Sequence, residues 1–241
     1  MSIPSKSKYQ EIDDQVTDFL TSLLDEGSGA SEFQKNLKRL VTDLFESGYN
    51  MEDVDTRQIL RDAGYIGYVE KVVDGHSRLL QDAEDAWGLK TNNDALARVE
   101  AVQAVDVKRF GDLGIQFSDE LQQALQEAAL GGGSYKETFE RLVGVGGDYT
   151  RHMETLRLTS LTSYSSALNM EKALEAGLTK FKYAGQLTGS NRSFCERLLR
   201  EDKSYSREHI NAMDNGNLNP VWIYRGGYNC IHRWVVWDEG W

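Results

Sequence analysis

The chain has 241 residues, of which 40% are hydrophobic and 27% are charged, and its net charge is −11. This length is enough for one sizeable domain, or for a helical body and a smaller module that each have a buried core. The acidic balance argues against broad, sequence-independent binding to duplex DNA, which needs a basic surface. Because no uninterrupted apolar run approaches the roughly 20 residues that cross a bilayer, we expect no membrane span.

The N-terminal sequence and the cysteine count limit the class of protein further. The stretch MSIPSKSKYQEIDDQ lacks the apolar centre and the cleavage site of a secretory signal, so we expect the chain to remain in the cytoplasm in which it is made. Its two cysteines, Cys195 and Cys230, are too few for a disulfide-rich scaffold.

Charge and composition change near residue 177. Residues 178–241 carry nine Lys/Arg and seven Asp/Glu, so the acidic excess belongs to the part of the chain before them. Both cysteines and four of the five tryptophans also lie after this point. The composition predicts an acidic helical body over 1–147, a long connecting helix over 148–177 and a small α+β module over 178–241.

Helical periodicity dominates the acidic body. Between 31 and 46 the apolar residues recur at helical spacing. Ser31 and Gln34 are placed to form a capping box, and Gly48 follows the end of this segment. Break signals such as GSG, AGY, WGLKTNN and GGG separate it from further segments. The predicted helices lie at about 8–25, 31–46, 52–62, 65–87, 93–111, 118–130 and 135–143.

The stretch 148–177 predicts one long helix that ends at Gly177. Its many Ser and Thr residues favour close packing against another helix over a direct role in a site. GGGS at 131–134 and GVGG at 144–147 are the candidate flexible breaks. Neither is followed by the Lys-Ser or Lys-Thr pair of a P-loop, so neither predicts a phosphate site.

After Gly177 the periodicity changes to the alternation of a short strand that contains Phe181 and Tyr183. RSFCERLLR and SYSREHINAMDNG predict short helices, the second capped by Ser206. VWIY and RWVVW favour strands, with RGGYNCIH as the bend between them. The predicted fold is mainly α, with an elongated helical N-terminal body followed by a small α+β C-terminal module.

Four segments of this region match a known pattern in order and spacing: GLTKFKYAG, NRSFC, YSREHINAMDNG and GGYNCIHRW. Over about residues 150–237 the chain resembles the phage head morphogenesis family of minor head proteins, typified by protein F of phage Mu. The resemblance implies a structural motif that consists of Gly185, Arg192, Gly226, Gly227, Asn229 and Trp234.

The resemblance also implies a function. A protein of this family is a minor structural component of a tailed-phage head, assembled in the host cytoplasm and present in several copies in the virion. Its partners are the portal, major capsid or scaffold protein, and it can assist genome packaging or delivery and contact packaged DNA. No catalysis is required.

Two other function classes remain as alternatives. In the first, the chain is an enzyme, a nuclease or a toxin-like transferase, whose site lies in the C-terminal module. In the second, the chain is a helical adaptor outside any virion. Thr188 stands where the family usually has Asp, and no carboxylate partner for His232 can be identified in the sequence. We therefore expect no enzyme.

The residues Cys195, Cys230 and His232 are of the types that ligate zinc, with His209 or water as a fourth ligand. In a strand, residues two apart face the same side, so Cys230 and His232 can reach one ion. Packed thiols with histidine hydrogen bonds, a zinc site and a disulfide are all compatible with the sequence, and no other cofactor is expected.

Overall fold

The computed structural model describes residues 5–48, 53–131 and 135–238 of the chain. The protein is 74% helical, which confirms the predicted mainly α fold with a helical N-terminal body and a small C-terminal α+β region. The helices in these ranges are α1 (Lys6–Asp25), α2 (Ala30–Ser47), α3 (Thr56–Ala63), α4 (Tyr65–Trp87), α5 (Asn93–Gly131), α6 (Tyr135–Glu175), α7 (Ser193–Glu201), α8 (Arg207–Asn211) and α9 (Val221–Tyr224). The strands are β1 (Lys180–Ala184), β2 (Ser204–Ser206) and β3 (Arg233–Val236). None of these helices combines the length and the apolar character that a membrane crossing requires.

The start of α2 differs from the prediction. The prediction of a capping box formed by Ser31 and Gln34 is wrong. The helix begins one residue earlier, at Ala30, and Gly29 before it is in the left-handed conformation. The side chain of Ser28 accepts a hydrogen bond from the Ala30 N–H and takes over part of the capping. The end of the helix is as predicted, with Gly48 at the C-cap.

Two pairs of predicted helices are single long helices. Segments 93–111 and 118–130 both belong to α5, and segments 135–143 and 148–177 merge into α6 through the GVGG stretch. Three residues of the other predicted break, 132–134, lie outside the described residues. The helix α6 ends as predicted before Gly177, where the Leu178 N–H donates to the Ala173 carbonyl at 2.9 Å and Gly177 has a φ of 86°.

Two compact units are present, and neither is continuous in the sequence. The first consists of Met1–Glu26, Asp74–Ala104 and Leu158–Trp241, and the second consists of Gly27–Val73 and Val105–Arg157. Each of α4, α5 and α6 therefore contributes one segment to each unit. The three regions predicted from composition follow one another along the chain, whereas the compact units combine distant segments.

The second unit is helical and has an aromatic core. Phe33 packs edge-on against Tyr65 and Phe117, with ring centroids 6.0 and 6.1 Å apart. Phe117 also stacks on Tyr149 at 4.2 Å. These contacts join α2, α4, α5 and α6 within this unit and bury the apolar stripes that the sequence predicted.

The first unit contains a three-stranded antiparallel sheet in the order β2-β1-β3. The central strand β1 places Phe181 opposite Tyr205 and Val236, and Tyr183 opposite Trp234. Core residues from α1 and α4, among them Tyr9 and Trp87, belong to the same buried cluster as these sheet residues.

The VWIY stretch is a helical turn, α9, and the prediction of a strand here is wrong. Val221, Trp222, Ile223 and Tyr224 are all buried. A strand with one covered face would expose every second side chain, whereas one helical turn surrounded by core residues buries all four. Tertiary packing therefore outweighs the β-propensity of these residues. RWVVW contains β3, as predicted.

Candidate functional site

Three of the four predicted metal ligands meet in the interior of the first unit. Cys195 comes from the first turn of α7, and Cys230 and His232 come from the segment between α9 and β3. The Cys195 and Cys230 sulfurs are 3.9 Å apart, and Cys230 Sγ lies 3.6 Å from His232 Nδ1. All three residues are buried, and within the described ranges they are the one group of His, Cys, Asp or Glu side chains arranged for a metal ion.

The fourth predicted ligand, His209, is not part of this group. It lies on α8, is exposed, and has its ring 5.2 Å from that of Tyr205. The one-turn helix α8 buries Ile210 completely, which directs the neighbouring His209 towards solvent. Ser206 caps this helix as predicted, since its side chain accepts from the His209 N–H.

The two cysteines are free thiols. Their sulfurs are nearly twice as far apart as the roughly 2.05 Å of a disulfide bond. The Tyr183 hydroxyl lies 3.4 Å from Cys195 Sγ and 3.3 Å from Cys230 Sγ. The Gly226 N–H also donates to Cys230 Sγ, at 3.3 Å. The sulfurs thus lie among hydrogen-bonding groups from β1 and from the turn after α9.

A buried guanidinium adds positive charge beside the thiols. Arg225 is only 3% exposed, and it donates to the Thr162 carbonyl, the Thr162 hydroxyl and the Ser163 hydroxyl on α6. Hydrogen bonding with Cys195, together with the charge of Arg225, lowers the pKa of Cys230 below its usual range. Burial lowers the pKa of Arg225, and the charges that oppose this effect belong to Cys230, Tyr183 and Cys195.

The orientation of His232 is fixed by a backbone carbonyl. Its Nε2 lies 3.1 Å from the oxygen of Gln186. Because a carbonyl only accepts, Nε2 carries the hydrogen and Nδ1 presents a lone pair towards Cys230. Gly185 allows this approach, since a Cβ there would lie 2.5 Å from His232 Cδ2, and its φ is 149°. The end of β1, where Gly185 follows Tyr183 and Ala184, therefore positions the His232 imidazole.

The other residues of the predicted structural motif surround the same group. The Arg192 guanidinium donates to the Tyr228 carbonyl at 2.6 Å, which ties the start of α7 to the Gly-Gly turn. The Asn229 N–H donates to Thr159 Oγ1 at 3.1 Å. Gly227 has a φ of 95°, where a Cβ would also meet the Asn217 side chain. The Trp234 ring packs 4.8 Å from that of Tyr183.

A pocket of about 340 Å³ borders the group. Cys230 and His232 form part of its wall, and apolar side chains of α1 and α6, including Val16 and Leu158, form another part. Asp13 and Arg233, which pair at 2.8 Å, also line it. Cys230 and His232 therefore lie at the border of this pocket, although both are buried.

Two important members of the site were not singled out from the sequence. The sequence predicts Tyr183 only as a strand residue and Arg225 only as part of the RGGYNCIH bend. The sequence favours a packing role for the Ser and Thr residues of α6, whereas Thr159, Thr162 and Ser163 accept hydrogen bonds from Asn229 and Arg225 of the site. The sequence signal that could have identified Arg225 is its position directly before the two glycines.

Comparison with known proteins gives no match. No protein-family model matches the chain. No curated protein and no solved structure matches it either.

Proposed function

We propose that this protein is a minor structural component of a tailed-phage head, which acts through contacts with the portal, major capsid or scaffold protein. The observation that carries the proposal is the convergence of the family-like segments. GLTKFKYAG supplies β1, NRSFC supplies Cys195 and the start of α7, YSREHINAMDNG supplies part of β2 and α8, and GGYNCIHRW supplies Cys230, His232 and the first half of β3. Segments that resemble the family pattern in order also contribute residues to one buried core, as a structural motif should.

The C-terminal region serves as a compact anchor in this proposal. Arg192, the Gly226–Gly227 turn and His232 hold loops in place through backbone contacts. These contacts are internal, so they stabilise the region rather than present groups to a partner.

The helical body supplies the partner-binding surface. On α5, Ile115 is 53% exposed and is surrounded by the acidic residues Asp112, Asp119 and Glu120. Val105, Val107 and Leu130 of the same helix are also exposed. An exposed apolar residue within an acidic surface suits a partner that offers an apolar contact with a basic rim.

Assembly in cells tests the proposal. The chain is co-expressed with the portal, scaffold and major capsid proteins of the same genome, if the proposal holds and that genome encodes them, and procapsids are purified and analysed by mass spectrometry. We expect the protein in procapsids in a few copies, and we expect Ile115→Lys to reduce its incorporation. Gln81→Lys, an exposed polar position on α4, is the matched control. Procapsids without the wild-type protein, and no association with the portal, capsid or scaffold protein in pull-down, would refute the proposal.

A further inference from the structure

We propose that Cys195, Cys230 and His232 bind one zinc ion, with the hydroxyl oxygen of Tyr183 as the fourth donor. The ion would connect β1, α7 and the segment that precedes β3, which are distant in the sequence. The inference rests on the geometry of the site, and it does not depend on the proposed role in a phage head.

The distances between donors fit a tetrahedral zinc ion. Zn–S bonds of about 2.3 Å and Zn–N bonds of about 2.0–2.1 Å give tetrahedral edges of about 3.8 Å between two sulfurs and about 3.6 Å between sulfur and nitrogen. The corresponding distances are 3.9 Å between the cysteine sulfurs and 3.6 Å between Cys230 Sγ and His232 Nδ1. Cys195 Sγ and His232 Nδ1 lie within 4.8 Å, so the site closes with a movement of about 1 Å.

The Tyr183 oxygen lies next to both sulfurs, where it can act as the fourth donor. It lies 3.4 and 3.3 Å from the two sulfurs, close to the length of a tetrahedral edge. The ring of Tyr183 also stacks against that of His232, with centroids 5.5 Å apart. Both rings are therefore held in place before an ion binds.

The groups behind the donors are those that metal sites use to orient their ligands. A ligating imidazole usually donates its other N–H to a carbonyl or carboxylate, and His232 Nε2 donates in this way to Gln186. The Gly226 N–H donates to Cys230 Sγ and helps to fix the position of this sulfur.

The charges of such a site would balance once the ion is bound. A Zn²⁺ ion with two thiolates, one phenolate and a neutral imidazole carries a net charge of −1. Arg225, buried beside the thiols, contributes the compensating positive charge. When zinc binds, the thiol and phenol donors release the protons that they still carry. The bound site, counted together with Arg225, is therefore neutral.

Metal analysis of the full chain tests the proposal. The protein is purified under reducing conditions without chelator, and its zinc content is measured by inductively coupled plasma mass spectrometry. We expect one zinc per wild-type chain and at least a tenfold loss in Cys195→Ser, Cys230→Ser and His232→Ala. His209→Ala, an exposed histidine outside the group, should retain the full content. Wild-type protein that holds no stoichiometric zinc after exposure to excess zinc, or that contains a Cys195–Cys230 disulfide, would overturn the proposal.

Cobalt substitution provides a second readout that does not depend on variants that fail to fold. Wild-type protein stripped by a chelator and titrated with Co²⁺ should develop the visible bands of tetrahedral cobalt and a thiolate charge-transfer band, both saturating at one equivalent. Tyr183→Phe removes one of the four proposed donors, so it should alter the visible bands and weaken zinc binding. Absence of tetrahedral bands in the wild type contradicts the site, and an unchanged spectrum and affinity in Tyr183→Phe contradicts Tyr183 as the fourth donor.

Discussion

At the scale of single residues, Gly226 sets how closely the chain approaches the two cysteines. A Cβ at this position would overlap Cys195 Sγ and lie 3.0 Å from Cys230 Sγ. We therefore expect Gly226→Ala to force the thiols apart and to lower the free energy of unfolding by about 1–3 kcal/mol. Urea unfolding followed by tryptophan fluorescence measures this loss, because Trp87, Trp222 and Trp234 all lie in the first unit.

Gly189→Ala is the matched control, because a Cβ there would meet no atom within 4 Å. It should change the free energy of unfolding by less than about 0.5 kcal/mol. Equal stability of the Gly226→Ala and Gly189→Ala variants would show that the close approach of Gly226 to the sulfurs does not contribute to stability.

His76 makes stability depend on pH. It is 1% exposed, its Nε2 lies 2.9 Å from Ser160 Oγ, and its ring stacks on Tyr164. Burial lowers the pKa of His76 from 6.5 to about 4. Because the unfolded chain takes up this proton more readily, the contribution is complete above about pH 6.5 and is lost as the pH falls towards 4.

We expect this linkage to lower the free energy of unfolding by about 2 kcal/mol between pH 7.5 and pH 5. Urea unfolding of the wild type and of His76→Gln at both pH values isolates it, because all other titrating groups are shared. The difference between the two proteins should shrink as the pH falls. A difference that is the same at pH 7.5 and pH 5 would mean that His76 titrates alike in the folded and unfolded states.

Residue types predicted the donors of the site but not their surroundings. Cys195, Cys230 and His232 were recognisable because few side chains share their chemistry. Tyr183 and Arg225 were not, because tyrosine in a strand and arginine beside a turn are common, and only the folded chain brings them to the thiols. His209 was chosen for its type alone, and its position on α8 excludes it from the group.

At the scale of elements, α6 sets the low helix propensity of glycine against the stabilisation that tertiary packing provides. The GVGG stretch predicted a break, yet the helix continues through it. Leu142 and Tyr149 are buried on either side, and Tyr149 stacks on Phe117. These contacts stabilise both flanking turns, so the helix is maintained by tertiary packing in spite of its low local propensity.

A single alanine should therefore stabilise α6. Gly144 is exposed, and a Cβ there would meet no atom within 4 Å. We expect Gly144→Ala to increase the free energy of unfolding by about 0.5–1 kcal/mol, measured by urea unfolding followed by far-UV circular dichroism. Gly146→Ala should gain less, because its Cβ would lie 2.9 Å from Leu37 Cδ2. No stabilisation by Gly144→Ala, together with rapid hydrogen exchange of the amides of 144–147, would favour the break that the sequence predicted.

At the scale of the whole molecule, contacts between the two ends of the described chain define the first unit. The Val236 N–H donates to the Tyr9 hydroxyl at 3.1 Å, and Arg233 pairs with Asp13 at 2.8 Å. The helix α1 thus packs against β3, more than 200 residues away. The amino-acid composition could not predict this pairing, because composition describes residues that are neighbours in the sequence rather than in space.

The segment 178–241 should consequently not fold alone, although its composition predicted a separate module. Tyr9, Ile12, Val16, Ala86 and Trp87 belong to the core that buries its sheet, and all five precede it in the chain. Without them, Phe181 and Val236 would be exposed to water, at a cost of roughly 1.5–3 kcal/mol for each large side chain. A segment of about 60 residues is only marginally stable even with a complete core, so such a loss outweighs its stability. We expect the isolated fragment to give poorly dispersed amide proton signals and no cooperative thermal transition, with the full chain as the control. A dispersed spectrum and cooperative unfolding of the fragment would instead establish that the C-terminal segment is an independent domain.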